Sequence, residues 1–447
     1  MQLRPYQQDL FNRIRAEINQ GIRNPVVVSP TGSGKTATFS YIAHRASQAK
    51  NRVLILVHRS ELVTQTSETL KKFNVDHGII QAGIKPDPAK MVQIAMVQTV
   101  SRRLTSISEP SLIITDECHH AAANQYRAIL MAFPSAVSIG FTATPVRLDG
   151  KGLSDYFGKI IIGQTVEWLM QNDFLVRPKY FAPPVQAVLA GVKKRAGDFA
   201  KDQLAEAMDR PTVTGDAVSH YKRICPDSRA VVFCCNITHA EHVAEEFKSN
   251  GIPSGVIHGN LKSDERKQIV EDLTTGKIKV MTSVDVVSEG FDLPSAEVAI
   301  LLRPTTSLGL HLQQIGRVLR PSPGKRAVIL DHVGNLMRHG LAEDEREWSL
   351  EGIDKKAKKS ESLGMKQCKQ CFCLHKPAPI CPECDYVYPT VKPKEMTYIE
   401  ANLEEFSRKP VSEILKHVKK RDDLTLIAKA KGYKKGWVYY MAKELGL

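Results

Sequence analysis

The chain has 447 residues, 42% of them hydrophobic and 25% charged, which is room for two or three domains, each with its own core. No run approaches the roughly 18 apolar residues of a membrane span, and the N-terminal "MQLRPYQQDL" has no basic stretch followed by an apolar one, so a soluble protein of the cytoplasm is expected. The formal net charge is +14, and residues 353–447 hold 20 Lys+Arg against 12 Asp+Glu, an excess that suits a polyanionic partner near that end.

From residue 1 to 178, helix-period stretches alternate with the apolar runs "NPVVVSP", "RVLILVHR", "MVQIAMVQT", "SLIITDE" and "AVSIGFTATP". Strands apolar on both faces belong to a parallel sheet covered by helices. A second series, "AVVFCCN", "GVIHG", "KVMTSVD", "VAILLRP" and "AVILDH", falls within 179–350 and predicts a second α/β domain. Residues 179–215 show no clear strand pattern and read as a linker and insertion opening that domain. The lysine-rich "DKKAKKSESLG" at 354–364 precedes a cysteine-rich segment at 365–390 and a basic tail at 391–447, helical over 410–445.

The strand "PVVVS" runs into "SPTGSGKT", residues 29–36, and then into a helical stretch, the context that a phosphate-binding loop requires. Within Thr31, Gly32, Ser33, Gly34, Lys35 and Thr36, the glycines let backbone amides approach a β-phosphate. Lys35 reaches the β and γ oxygens, and the Thr36 hydroxyl can ligate magnesium. Ser29 stands where the strict pattern has its first glycine. Eighty residues after Thr36, "SLIITDECHH" ends a strand with two carboxylates: Asp116 suits a magnesium held through water, and Glu117 suits the polarisation of an attacking water.

These segments, with "TATP" at 142–145, resemble motifs I, II and III of the superfamily 2 helicases, a family in which serine often takes the first loop position. "LRPYQ" at 3–7 is similar to the adenine-reading Q motif and implies that Gln7, with Arg4, contacts the base. "TSVDVVSEGFDLP" at 282–294 and "QQIGRVLR" at 313–320 resemble motifs V and VI. The resemblance implies an arginine finger at Arg320, a second γ-phosphate contact at Arg317, a water or phosphate positioner at Gln313, and a ribose contact at Asp292 beside Gly290. It also implies two tandem RecA-like domains, 1–178 and 179–350, that close on ATP and open after hydrolysis. Along the nucleic-acid track it implies backbone contacts from Arg59, Thr99, Asn236 and Thr282.

"CKQCFCLHKPAPICPEC" places Cys368, Cys371, Cys381 and Cys384 in two Cys-x2-Cys pairs, the spacing of a structural zinc ribbon, with Cys373 and His375 surplus to a four-ligand site. The tail mixes lysines with Tyr433, Trp437, Tyr439 and Tyr440, which can stack on bases or pack the tail. Motor, ribbon and tail together resemble RadD-type bacterial DNA repair helicases and their phage relatives. That resemblance implies a monomeric, ATP-, magnesium- and zinc-using motor in the cytoplasm of a bacterial or phage-infected cell. It would act on single-stranded, duplex or branched DNA, with a repair or replication protein as a further partner of the C-terminal region. RNA as the track, or an ATP-switched clamp that separates no strands, stays open.

Overall fold

The computed structural model describes residues 1–120, 124–147, 150, 152–182, 194–195, 198–199, 204, 208, 211–287, 293–352, 365–389 and 410–447. Two compact units divide the chain, residues 1–388 and 389–447. No helix among the described residues is long and apolar enough to cross a membrane.

The first sheet is built from β1 (Pro25–Val28), β2 (Val53–Val57), β3 (His77–Ile80), β4 (Val92–Met96), β5 (Leu112–Thr115), β6 (Val137–Thr142) and β7 (Lys159–Ile162). They lie in the order β3-β4-β2-β5-β6-β1-β7, and every pairing is parallel. Successive side chains of a strand point to opposite faces. Val27, Ile55 and Ile114 therefore enter one core with Phe39 and Phe141, while Val26, Leu54 and Ile113 enter another with Tyr126 and Phe157. A sheet covered on both sides has no polar positions to spare, which is why these strands read as unbroken apolar runs. β3 and β7 escaped that reading because two of four residues in β3 and three of four in β7 stay partly or fully exposed.

The second sheet has eight strands in the order β12-β13-β11-β14-β15-β8-β17-β16. These are β8 (Lys179–Phe181), β11 (Ala230–Phe233), β12 (Ser254–Ile257), β13 (Val280–Ser283), β14 (Val298–Leu301), β15 (Val328–Asp331), β16 (Lys366–Gln367) and β17 (Cys373–His375); β9 (Lys194–Arg195) and β10 (Asp198–Phe199) form a separate antiparallel pair. Two expectations are corrected here. Residues 179–181, read as linker, form β8, which pairs parallel with β15: "KYF" is too short to carry a period and becomes a strand through its neighbour. The cysteine segment is likewise no separate appendix, because β17 pairs antiparallel with β8 and β16 with β17, continuing the sheet. The lysine-rich 354–364 lies outside the described residues, as does most of 183–210.

Both sheets lie in the first unit and meet through specific bonds. The Val176 amide donates to the Leu319 carbonyl at 2.8 Å, Arg266 pairs with Glu61 at 2.7 Å, and Arg59 Nη1 donates to the Asp285 carbonyl at 3.3 Å.

Candidate active site between the two sheets

The carboxyl ends of parallel strands gather loops, and ligands of open α/β sheets sit there. β1 leads into Ser29, whose amide donates to the Thr142 carbonyl of β6 at 2.9 Å, and the following loop enters helix α2 (Lys35–Gln48) through Gly34. Gly34 has φ +85°, and a Cβ there would lie 2.3 Å from Gln7 Nε2, so both conformation and space demand glycine. The Ser29 and Ser33 hydroxyls are 2.7 Å apart, so the serine in place of the first glycine ties the loop together. Lys35 Nζ donates to the Ser29 carbonyl at 3.3 Å and lies 3.9 Å from Glu117 Oε1.

Helix α1 (Pro5–Asn19) starts against this loop. Tyr6 Oη and Gln7 Nε2 both donate to the Ser33 carbonyl, at 2.7 and 3.1 Å, while Gln7 Oε1 accepts from the Arg4 amide at 3.0 Å. The Gln7 amide thus holds the loop itself. Arg4 is exposed, and its guanidinium lies 4.8 Å from the Phe174 ring centroid. Tyr6 packs its ring against Phe174 and Trp168. Sequence reasoning missed Tyr6 and Phe174; "PYQ" beside the expected Gln7 was the available signal for the tyrosine, whereas Phe174 is remote in sequence and left none.

β5 delivers the carboxylates. Asp116 is buried, and its Oδ1 accepts the Glu117 amide at 3.0 Å. Glu117 adopts φ +47°, an unusual backbone for a side-chain-bearing residue and of the kind concentrated at functional sites. From it a polar chain runs inward: Glu117 Oε2 is 3.4 Å from His119 Nδ1, which is 3.0 Å from Thr142 Oγ1, and that hydroxyl donates to the Thr144 carbonyl at 2.8 Å. "TATP" is therefore wired to the carboxylates. Burial first, then the Glu117 and Asp116 charges, push the Cys118 thiol well above its ordinary range, leaving it an inert core residue.

The opposite wall comes from the second sheet's domain. Across from helix α2 and helix α3 (Ser60–Lys72) stands the end of the helix Leu308–Gly316, with Arg317 at its C-cap and Arg320 three residues further on. Arg317 and Arg320 wall a cavity of about 230 Å³ together with Thr31, Gly32, Gly34, Lys35, Thr36, Asp116 and Glu117. Burial lowers the Arg320 guanidinium to about 10, which leaves it a cation at neutral pH. Gln313 is buried one turn earlier, outside the cavity wall. Gly290 and Asp292 lie outside the described residues.

The expected track residues fare differently. Thr282 is fully buried in β13 and its hydroxyl donates to the Ala240 carbonyl at 2.9 Å; the expectation of a strand contact is corrected, since that hydroxyl is committed to the core. Asn236 caps the helix Ile237–Ser249, accepting the His239 amide at 2.8 Å. Thr99 is half-buried in a surface pocket lined also by Gln98, Arg102 and Arg103. Arg59 is half-buried and bridges to Asp285.

In the cysteine segment, the sulfur atoms of Cys368, Cys371, Cys381 and Cys384 all lie within 4.8 Å of one another, the Cys368–Cys384 and Cys371–Cys381 pairs at 3.6 and 3.7 Å. Four thiolates about 2.3 Å from a tetrahedral zinc lie about 3.8 Å apart, so the residues fit that ion.

Two family descriptions match the chain: "Type III restriction enzyme, res subunit" over residues 1–147 and "Helicase conserved C-terminal domain" over residues 217–322. A 51.5 kDa protein of a Lactococcus phage (isolate 7-9) is 33% identical over 403 residues, aligning 89% of this chain with 86% of that one. This chain belongs to the superfamily 2 helicases. Within them it is related to the repair- and restriction-type members. The Saccharomyces cerevisiae protein IRC3 is 32% identical over 357 residues, and the match spans 74% of this helicase but about half, 51%, of that relative. Among solved structures, the ATP-dependent Type ISP restriction-modification enzyme LlaBIII bound to DNA shares the fold, with a TM-score of 0.55 and 19% identity over 74% of this chain and 27% of that one.

Proposed function

We propose that the helicase is an ATP-driven motor on DNA, translocating along or remodelling duplex or branched intermediates of repair, recombination or replication. One observation carries the hydrolytic part: Lys35, Asp116 and Glu117 of one domain and Arg317 and Arg320 of the other wall a single cavity. In this reading the loop amides and Lys35 bind the β- and γ-phosphates, and Thr36 and Asp116 would hold magnesium, which supplies charge neutralisation between the phosphates. Glu117 orients and polarises the attacking water. Arg320 neutralises the transferring phosphoryl group, with Arg317 beside it, and does so only while the domains are closed. Gln313, Gly290 and Asp292 keep the positioning and ribose roles that the family pattern implies, and Arg4 remains the candidate for the adenine edge, Gln7 acting through the loop.

DNA as the track is supported by the restriction-enzyme family match and by the basic C-terminal region. Arg59, Thr99 and Asn236 are the candidate backbone contacts. The RadD-type layout adds DNA repair as the setting, and the ribbon would carry one zinc. The test compares ATP turnover by the full chain with single-stranded DNA, duplex, forked duplex and RNA of one sequence. Stimulation by DNA above RNA is expected; stimulation by RNA alone would make this an RNA helicase.

A further inference from the structure

The second unit ends in two helices of equal length, Arg421–Lys431 and Lys435–Leu445, joined by only Gly432, Tyr433 and Lys434. Gly432 closes the first helix at φ +73°, and the Tyr433 amide donates to the Ala428 carbonyl at 2.8 Å, so the chain reverses within one turn. The small Ala428 is buried, as are Leu424, Ala442 and, from the short helix Val411–Ile414, Ile414. A small residue near the turn, a left-handed glycine four positions on and a half-buried Val438 six further together fit a helix-turn-helix: close approach, sharp reversal, and an apolar residue seating the second helix.

The second helix is two-faced. Trp437, Val438, Met441 and Ala442 turn inward, while Gly436, Tyr439, Tyr440 and Lys443 are exposed at i, i+3, i+4 and i+7. Tyr439 and Tyr440 are 67% and 65% exposed, two adjacent aromatic side chains on the outward face. The surrounding charge is predominantly positive: residues 410–447 hold nine Lys+Arg against four Asp+Glu, exposed Lys429 and Lys434 flank the turn, and the Arg421 guanidinium lies 5.8 Å from the Tyr439 ring.

Charge complementarity selects a nucleic acid, and shape selects the duplex. A single strand is gripped by aromatic platforms within a basic groove. Here the aromatics stand on the exposed face of a helix, which suits the major groove, about 12 Å wide and able to admit an α-helix. Gly436 lets the helix backbone approach the groove wall, the tyrosine hydroxyls reach base edges, and the lysines reach the flanking phosphates.

We propose that Arg421–Leu445 is a helix-turn-helix whose second helix enters the major groove of duplex DNA, giving the motor a duplex anchor separate from its translocation track. It rests on the reading of DNA as the partner, but its test is read without nucleotide, so the two fail separately. The full chain carrying Tyr439→Ala, Tyr440→Ala and Lys443→Ala, all at exposed positions, is titrated with a blunt duplex and with the single strand of the same sequence at several salt concentrations. A second variant, Leu424→Asp, collapses the unit's core. Both should lose duplex affinity by about tenfold or more while single-strand affinity changes less than about twofold, with the salt slope of the triple variant reduced by about one for the lost lysine. ATP turnover without DNA should be unchanged. Unaltered duplex affinity in either variant, or an equal loss on duplex and single strand, overturns the groove reading. A wild-type chain that binds duplex but shows no DNA-stimulated turnover would instead count against the motor.

Discussion

Gly316 sits so close to Thr31 that a Cβ on the glycine would lie 2.7 Å from the threonine Cβ. One residue belongs to the second sheet's domain and the other to the phosphate loop, so a side chain at 316 would force the two walls of the cavity to shift. Gly316→Ala should lower kcat by about tenfold, roughly the effect of 1.4 kcal/mol on the barrier, and leave the apparent affinity for ATP nearly unchanged. Steady-state turnover with a fluorescent-nucleotide titration checks both halves. An equal rise in KM with normal kcat would place the tight contact in binding instead of closure.

The carboxylate and lysine give a sharper separation of roles. Glu117→Gln should bind ATP with near-normal affinity and hydrolyse it at least 100-fold more slowly, about the scale lost with a general base. Lys35→Ala should lose both binding and turnover. Undiminished turnover in either variant would remove the assignment of the cavity.

Placing the ribbon's β17 against β8 changes what metal removal should do. A detached ribbon would melt locally, whereas one that completes a sheet exposes β8 when it goes. Cys381→Ser or chelation should therefore destabilise the second α/β domain by about 4 kcal/mol, beyond an ordinary substitution, and leave the first domain's transition in place. Calorimetry with metal analysis reads this directly, and a lone unaltered main transition would contradict it.

Two buried histidines set a pH dependence. Burial first, then neighbouring His339, hold His311 down at about 3, and burial, then His220, do the same to His332. An unfolded histidine titrates near 6.5, so between these values the unfolded chain binds more protons than the folded one. The stabilisation is fully present above about pH 6.5 and is lost as pH falls toward 3, by about 2 kcal/mol per histidine at pH 5. Thermal midpoints of the second domain should drop from pH 7 to 5, and His311→Asn should flatten that slope. A midpoint insensitive to pH would contradict the neutral, buried state of these rings.

How much of this was readable beforehand divides along physical lines. That Gly34, Lys35, Asp116 and Glu117 come to one cavity was legible because the glycine-rich loop and the acidic pair each follow an apolar strand of one parallel sheet. The clustering of Cys368, Cys371, Cys381 and Cys384 was legible from their two Cys-x2-Cys pairs. β8 was not, since a three-residue strand after Pro178 takes its identity from β15, some 150 residues away, and no local period reports a distant pairing. Thr282 misled because a threonine buried with its hydroxyl on a neighbouring carbonyl looks, in sequence, like one facing solvent. Gln7 was found for its motif, but its amide spans from the Arg4 amide to the Ser33 carbonyl, a loop-holding role that only the packing of α1 against the loop reveals.

The central claim is that hydrolysis needs groups from both domains in one cavity, and Arg320→Ala tests it most directly. With saturating DNA and ATP, kcat of this variant should fall by about 1,000-fold or more, the scale of an arginine supplied to a phosphoryl-transfer transition state, while nucleotide affinity changes only a few-fold. Normal turnover by Arg320→Ala, or a loss confined to nucleotide affinity, would contradict a cleft completed across the two sheets.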